Sequence, residues 1–133
     1  RNGLLNKKAE EDIVAKPMNQ IGIKTPSLTA SISELSGGNQ QKCIISRWLL
    51  TKPHVLLLDD PTRGIDVGAK AELYELIDTS CQRGLAVVLT SSELPELLTL
   101  SDRIIVMAEG RVTAEFSRDE ANEKKIMTAA TLA

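Results

Sequence analysis

Apolar positions recur at helical spacing near the start of the chain, where Ala9, Ile13, Val14 and Met18 predict a helix over about Lys7 to Ile21. Pro17 is expected to break or kink it near its end, because proline lacks the N–H and crowds the preceding turn. Lys24 to Ile32 reads as a loop, with Thr25-Pro26-Ser27 as its turn signal. A second helix, about Asn39 to Leu50, is expected to bury Ile44, Ile45, Trp48 and Leu49 and to stop before Pro53. Val55 to Asp59 is short, wholly apolar and charge-terminated, the pattern of a parallel strand covered on both faces. The next helix, about Ala69 to Gln82, sets Leu73, Leu76, Ile77 and Cys81 on one stripe, with Gly84 as its C-cap.

Leu85 to Thr90 reads as another buried strand, a short helix starts near Pro95, and Arg103 to Met107 reads as a third strand. Glu109-Gly110 predicts a hairpin-like turn into Arg111 to Phe116. Ser117-Arg118-Asp119-Glu120 has capping-box form and is expected to open a last helix with Ile126 and Met127 inward. Strands alternating with helices argue for an α/β fold, a parallel sheet flanked by helices.

Composition narrows this picture. The length of 133 residues suits one compact domain or a large part of one. Aromatics are only 2% (Trp48, Tyr74 and Phe116), so the core must be built from Leu, Ile and Val. A net charge of −2 offers no broad basic surface, so nucleic acid is not expected as a partner. Cys43 and Cys81 lie in helical patterns without metal-ligand spacing and read as buried free thiols. No apolar run approaches the roughly 18 residues of a membrane span, and no signal peptide is visible.

Candidate chemistry concentrates in two stretches. Leu35-Ser36-Gly37-Gly38-Asn39-Gln40-Gln41-Lys42 is a glycine turn opening a helix. Gly37 and Gly38 let the backbone approach a ligand, and the helix start directs unpaired N–H groups and its positive dipole end there. With the Ser36 hydroxyl this makes an anion site suited to a terminal phosphate; by itself it also fits an ordinary loop and helix start. Val55-Leu56-Leu57-Leu58-Asp59-Asp60-Pro61-Thr62 ends a strand in two carboxylates, where α/β folds bind ligands. The same pair could simply cap the strand. No G-x-x-x-x-G-K-[ST] occurs in the chain, so it contains no loop of the kind that cradles nucleotide phosphates.

In that order and at that separation, the two stretches resemble the signature motif and Walker B strand of an ABC-type ATPase, a P-loop NTPase fold. The match extends through Arg63-Gly64-Ile65-Asp66-Val67-Gly68-Ala69-Lys70. Its wording is most like the second nucleotide-binding domain of the ATPase subunit of ribose-type monosaccharide importers. The resemblance implies that residues 1–34 are the end of the family's helical subdomain. Residues 35–133 would be the C-terminal part of the ATPase core, with the Walker A half absent. It implies that Ser36, Gly37, Gly38 and Gln40 meet the γ-phosphate of ATP held by an opposite domain in a head-to-tail dimer. Asp59 would hold Mg²⁺ through water, and Asp60 would orient the attacking water.

Asp60 stands where active members carry glutamate, one methylene longer; a displacement of about 1 Å costs on the order of a hundredfold in rate. Ser92, counted back from Ser101-Asp102-Arg103, stands where a switch-loop histidine is usual. Its hydroxyl can donate a hydrogen bond but cannot shuttle a proton as imidazole does. It is equally placed to N-cap the helix at Pro95. Asp66 matches the loop that joins the two composite sites, and it also suits an N-cap for the helix near Ala69. His54, the only histidine, reads as a surface turn residue.

The expected function is an ATP-hydrolysing subunit that energises monosaccharide import. It would dock on permease subunits, supplied by a periplasmic sugar-binding protein, at the cytoplasmic face of the bacterial inner membrane. The helix carrying Lys7, Lys8, Glu10, Glu11 and Asp12 would belong to the subdomain that receives the permease. The start at Arg1 rather than Met fits a fragment. Alone it is expected to bind MgATP weakly or not at all, and to expose a sheet edge and apolar surface. Asp60 and Ser92 keep open a degenerate, non-catalytic module that only completes a partner's site. An ABC-type ATPase of DNA maintenance fits less well, because the helix before the signature lacks sustained heptads.

Overall fold

The computed structural model describes residues 6–131. Five helices and four strands follow in the order α1 (Lys7–Ile21), α2 (Gly37–Leu49), β1 (Val55–Asp59), α3 (Val67–Gln82), β2 (Ala86–Thr90), α4 (Leu94–Leu100), β3 (Arg103–Ala108), β4 (Arg111–Ser117) and α5 (Glu123–Ala130). They fall into two compact units, Arg1–Leu56 with Thr62–Val87 and Leu57–Pro61 with Val88–Ala133.

In the first unit, Asn6 caps α1 by accepting the Ala9 N–H at 3.2 Å. The helix runs through position 17 to Ile21, so Pro17 does not end it. Closure comes at Gly22, whose φ of 66° is a left-handed turn that glycine adopts without strain. Helix α2 packs on both α1 and α3. Its buried face is Gly38, Lys42, Ile45 and Ser46, whereas Ile44 and Trp48 are 46% and 53% exposed. The apolar-stripe expectation for this helix is therefore corrected. Lys42 is drawn inside by an ion pair to Glu72, which turns the helix away from the orientation its apolar residues suggest. The Arg47 guanidinium lies 5.7 Å over the Trp48 ring and favours that indole at the surface.

Helix α3 buries Leu73 and Ile77, while Leu76 is half-buried and Cys81 is exposed. Cys43 is half-buried, and burial pushes its thiol above its ordinary pKa. Only one of the two thiols is thus sheltered, against the expectation for both. Arg83 is the C-cap of α3, with Gly84 (φ 96°) one residue beyond.

Strands β1 and β2 pair. The Ala86 N–H donates to the His54 carbonyl at 3.0 Å and the Asp60 N–H to the Thr90 carbonyl at 2.9 Å. Residue numbers rise together along both strands, so the pair is parallel. Burial alternates along β1: Leu56 and Leu58 are buried, while Val55 and Leu57 are 54% and 73% exposed. Val88 of β2 is 55% exposed as well. The expectation of strands covered on both faces is corrected to one, and the predicted apolar exposure is found there.

In the second unit, β3 pairs antiparallel with β4 from Arg103↔Ser117 to Ala108↔Arg111, and not with the parallel pair. Glu109 (φ 47°) and Gly110 (φ 76°) make the tight turn, both left-handed as two-residue hairpins prefer. Ile104 and Val106 meet Ile126 and Ala129, with Leu97, Leu98 and Phe116 packed around them. Met127 is 53% exposed rather than inward. Helix α5 is capped by Asn122, which accepts the Lys125 N–H at 2.9 Å. The Ser117–Glu120 box forms, but as a turn ahead of the helix. The Ser117 hydroxyl and N–H donate to Glu120 Oε2 at 2.8 and 3.3 Å and hold its carboxyl below the usual range. Glu96 is 1% exposed, and neither carboxylate oxygen has a hydrogen-bond partner among the described residues. No helix among the described residues is long and apolar enough to cross a membrane.

Candidate functional site

The glycine turn is built by helix capping. Ser36 has extended backbone and is the N-cap of α2, and its Oγ accepts from the Asn39 N–H at 3.5 Å and from Asn39 Nδ2 at 3.0 Å. Helix α2 then begins at Gly37, so its first N–H groups lack intrahelical partners and face the turn. The Gln40 amide folds back, Nε2 donating to the Leu35 carbonyl at 2.8 Å, and braces the turn from behind.

Glycine is needed here for closeness, not for dihedral freedom. A Cβ at Gly38 would fall far inside contact distance of the Ala69 methyl on α3. One at Gly37 would sit 3.7 Å from Ile65 Cγ2 and 3.8 Å from the Gly64 carbonyl, which is ordinary contact. The turn at Ser36–Gly38 and the loop Gly64–Asp66 are therefore neighbours within the first unit. Asp66 is the N-cap of α3, Oδ1 accepting the Ala69 N–H at 2.9 Å.

The second unit holds the other group. Asp59, the last residue of β1, accepts the Thr90 hydroxyl at Oδ1. Asp60 follows with φ 45°, a left-handed backbone that aspartate adopts at some cost, and its Oδ1 accepts the Ser92 N–H at 2.5 Å. The carboxylates that end β1 are thus tied to the segment that leaves β2. Thr90 was not singled out from sequence; its signal is a hydroxyl at the last position of the neighbouring strand. Ser92 does not cap α4. Glu93 is the N-cap and makes no side-chain cap bond, while Ser91 Oγ accepts the Glu93 N–H at 3.0 Å. His54 is exposed, as expected.

No group of three or more His, Cys, Asp and Glu gathers among the described residues. A closed all-protein metal cage is not what Mg²⁺ asks for: it keeps most of its water and takes one or two carboxylates plus substrate phosphates. Asp59, exposed and fixed by Thr90 through one oxygen, fits that demand with the other.

A family model described as ABC transporter matches residues 2–63. The xylose import ATP-binding protein XylG of Geobacillus kaustophilus is 56% identical over 125 residues, covering 94% of this chain and 24% of that protein. The ribose import ATP-binding protein RbsA of Clostridium perfringens is 52% identical over 123 residues, covering 92% of this chain and 25% of that protein. The chain spans about a quarter of the length of the curated relatives it matches. A dimeric ATP-binding cassette in a post-hydrolysis state with ADP and Pi superposes with a TM-score of 0.72 at 22% identity, over 89% of this chain and 51% of that one. The ADP conformation of another ABC transporter cassette gives 0.78 at 19% identity, over 100% and 54%. At such identities these structures speak for the fold alone.

Proposed function

We propose that the chain is part of an ATP-hydrolysing subunit of the ABC transporter family that drives import of a monosaccharide, a reading supported by the family model over residues 2–63 and by the sugar-import relatives. The observation that carries the reading is that the chain holds both a serine-capped glycine helix start and a strand that ends at Asp59 with Asp60 next in sequence. Ser36, Gly37 and Gly38 offer a hydroxyl and unpaired N–H groups to the terminal phosphate of ATP held by a second ABC ATPase domain. Gln40 braces that turn, and Asp66 faces the second domain while capping α3. Asp59 would hold Mg²⁺ through its water shell; bound there, the ion would offset charge on the phosphates.

Asp60 and Ser92 form the water-orienting side of the site. The Asp60 carboxylate is already engaged by the Ser92 N–H. That contact favours a second reading for this half: a slow or silent site, with hydrolysis carried by the partner's site that the signature turn completes. Residues 1–34 belong, on this reading, to the helical subdomain that meets the permease, and 35–133 to the ATPase core. The 133-residue piece alone is catalytically silent, since it carries no phosphate-cradling loop. The whole assembly works at the cytoplasmic face of the membrane, fed by a sugar-binding protein.

The test uses membrane vesicles holding the full-length subunit with its permease and binding protein. Uptake of labelled D-xylose and D-ribose is followed with and without ATP inside. At least one sugar is expected to accumulate only with ATP, and Asp59→Asn to cut that uptake on the order of a hundredfold. Uptake of neither sugar counts against both readings; uptake unchanged in Asp59→Asn counts against hydrolysis at the Asp59 site and leaves it to the partner's site.

A further inference from the structure

The segment that leaves α1 is fastened to α2 at two points one helical turn apart. The Lys24 N–H donates to Asn39 Oδ1 at 3.0 Å, and Lys42 Nζ donates to the Gly22 carbonyl at 3.3 Å. Lys42 is 2% exposed and ion-paired with Glu72, whose carboxyl it holds below the usual range by that hydrogen bond and its charge. A buried ammonium paired in this way is costly to displace. Gly22 to Lys24 is therefore a fixed feature from which other groups take their orientation.

Donor directions follow from it. A backbone N–H can only donate, so the Asn39 side chain must turn its carbonyl oxygen toward Lys24. Its amino group then faces Ser36 Oγ, 3.0 Å away, and can only donate there. The Asn39 N–H approaches the same oxygen at 3.5 Å. A serine hydroxyl has two acceptor positions and one proton. With both acceptor positions filled from the helix side, the proton points away from α2.

We propose, resting on the reading of Ser36 as a phosphate donor, that Asn39 is a positioning residue that aims the Ser36 hydroxyl proton. It relays the backbone of Lys24, at the end of the α1 segment, to the group that meets the terminal phosphate. A displacement of that segment releases Asn39, frees the hydroxyl to rotate and removes an aligned donor from the phosphate. The nucleotide itself is bound elsewhere, so the loss falls on turnover and not on nucleotide affinity.

The experiment uses the full-length protein and two readouts. In the nucleotide-free protein the Lys24 amide is expected to exchange slowly, and about tenfold faster in Asn39→Ala, as the loss of one hydrogen bond implies. In ATP turnover, Asn39→Ala is expected to lower kcat about tenfold with KM for ATP within about twofold. In a Ser36→Ala background it is expected to have no further effect. Asn39→Asp keeps the acceptor for Lys24 and loses the donor to Ser36. It should therefore keep the Lys24 amide protected and still lose turnover; a carboxylate at a helix start suits the dipole, so folding is retained.

Equal Lys24 exchange in wild type and Asn39→Ala overturns the relay, as do losses that multiply in the Ser36→Ala double variant. A wild-type protein without ATP turnover overturns the proposed function instead, and Lys24 exchange still decides the relay.

Discussion

Replacing Asp60 by glutamate together with Ser92 by histidine in the full-length protein is expected to raise ATP turnover by up to about a hundredfold at the site these residues serve. The reasoning is geometric. Phosphoryl transfer is catalysed mainly by positioning and charge, so a carboxylate must reach the attacking water. Here the aspartate is short, sits on a backbone with φ 45°, and accepts the Ser92 N–H at 2.5 Å. Its oxygen is drawn toward the switch segment. Glutamate adds one methylene of reach, and histidine adds an imidazole that can carry a proton. Phosphate release by the double variant and each single variant, compared with wild type, measures the effect. An unchanged rate in the double variant would mean that neither position limits hydrolysis.

Gly38→Ala carries the largest expected loss. The added methyl overlaps the Ala69 methyl, and both belong to helix starts that have little freedom to part. Ser36 caps one helix and Asp66 the other, so a forced separation moves both caps. Overpacking of this kind costs about 1–3 kcal/mol of stability. Loss of aligned donors at the phosphate costs on the order of 10²–10³ in turnover. Ala69→Gly in the same protein removes the overlapping methyl and is expected to recover most of the stability and at least part of the rate. Gly37→Ala meets only ordinary contacts and should lose far less. Thermal unfolding and ATP turnover of the four proteins check this; equal losses at positions 37 and 38 would show that backbone approach to the ligand, not helix packing, dictates the glycines.

These two expectations show where sequence patterns reached and where they stopped. The order of elements was legible because capping residues and short apolar runs act locally: α1, the turn at Glu109-Gly110 and the strand Val55–Asp59 lie where their patterns put them. Which face each element buries was less legible. On α2, a lysine and a serine are inside while Ile44 and Trp48 are out. Periodicity counts apolar residues and cannot foresee that Glu72, thirty positions away, will pair with Lys42. On β1 the wholly apolar run suggested cover on both faces, but Val55 and Leu57 are exposed. An apolar strand records what a chain can bury, not what lies against it. Met127 was misplaced for the same reason.

The candidate site divides along similar lines. Asp66 suits a cap by residue type and place, so its local geometry was legible in the sequence, whereas Ser36 read as a phosphate donor and its capping of α2 emerges only from the structure. The ties from Thr90 to Asp59 and from the Ser92 N–H to Asp60 join positions 31 and 32 residues apart, and only the pairing of β1 with β2 creates them. Asn39 escaped notice because its role lies in the direction of its two donor and acceptor ends, which a motif does not record.

The central claim is that the turn at Ser36 meets the terminal phosphate of a nucleotide held by another domain. Illumination of the full-length protein trapped with MgATP and vanadate tests it directly, because vanadate takes the place of that phosphate and photo-oxidises the backbone beside it. The account expects peptide cleavage at or next to Ser36, abolished when the protein is kept from dimerising. Cleavage confined to the loop that cradles the nucleotide phosphates, with none at Ser36, would contradict it.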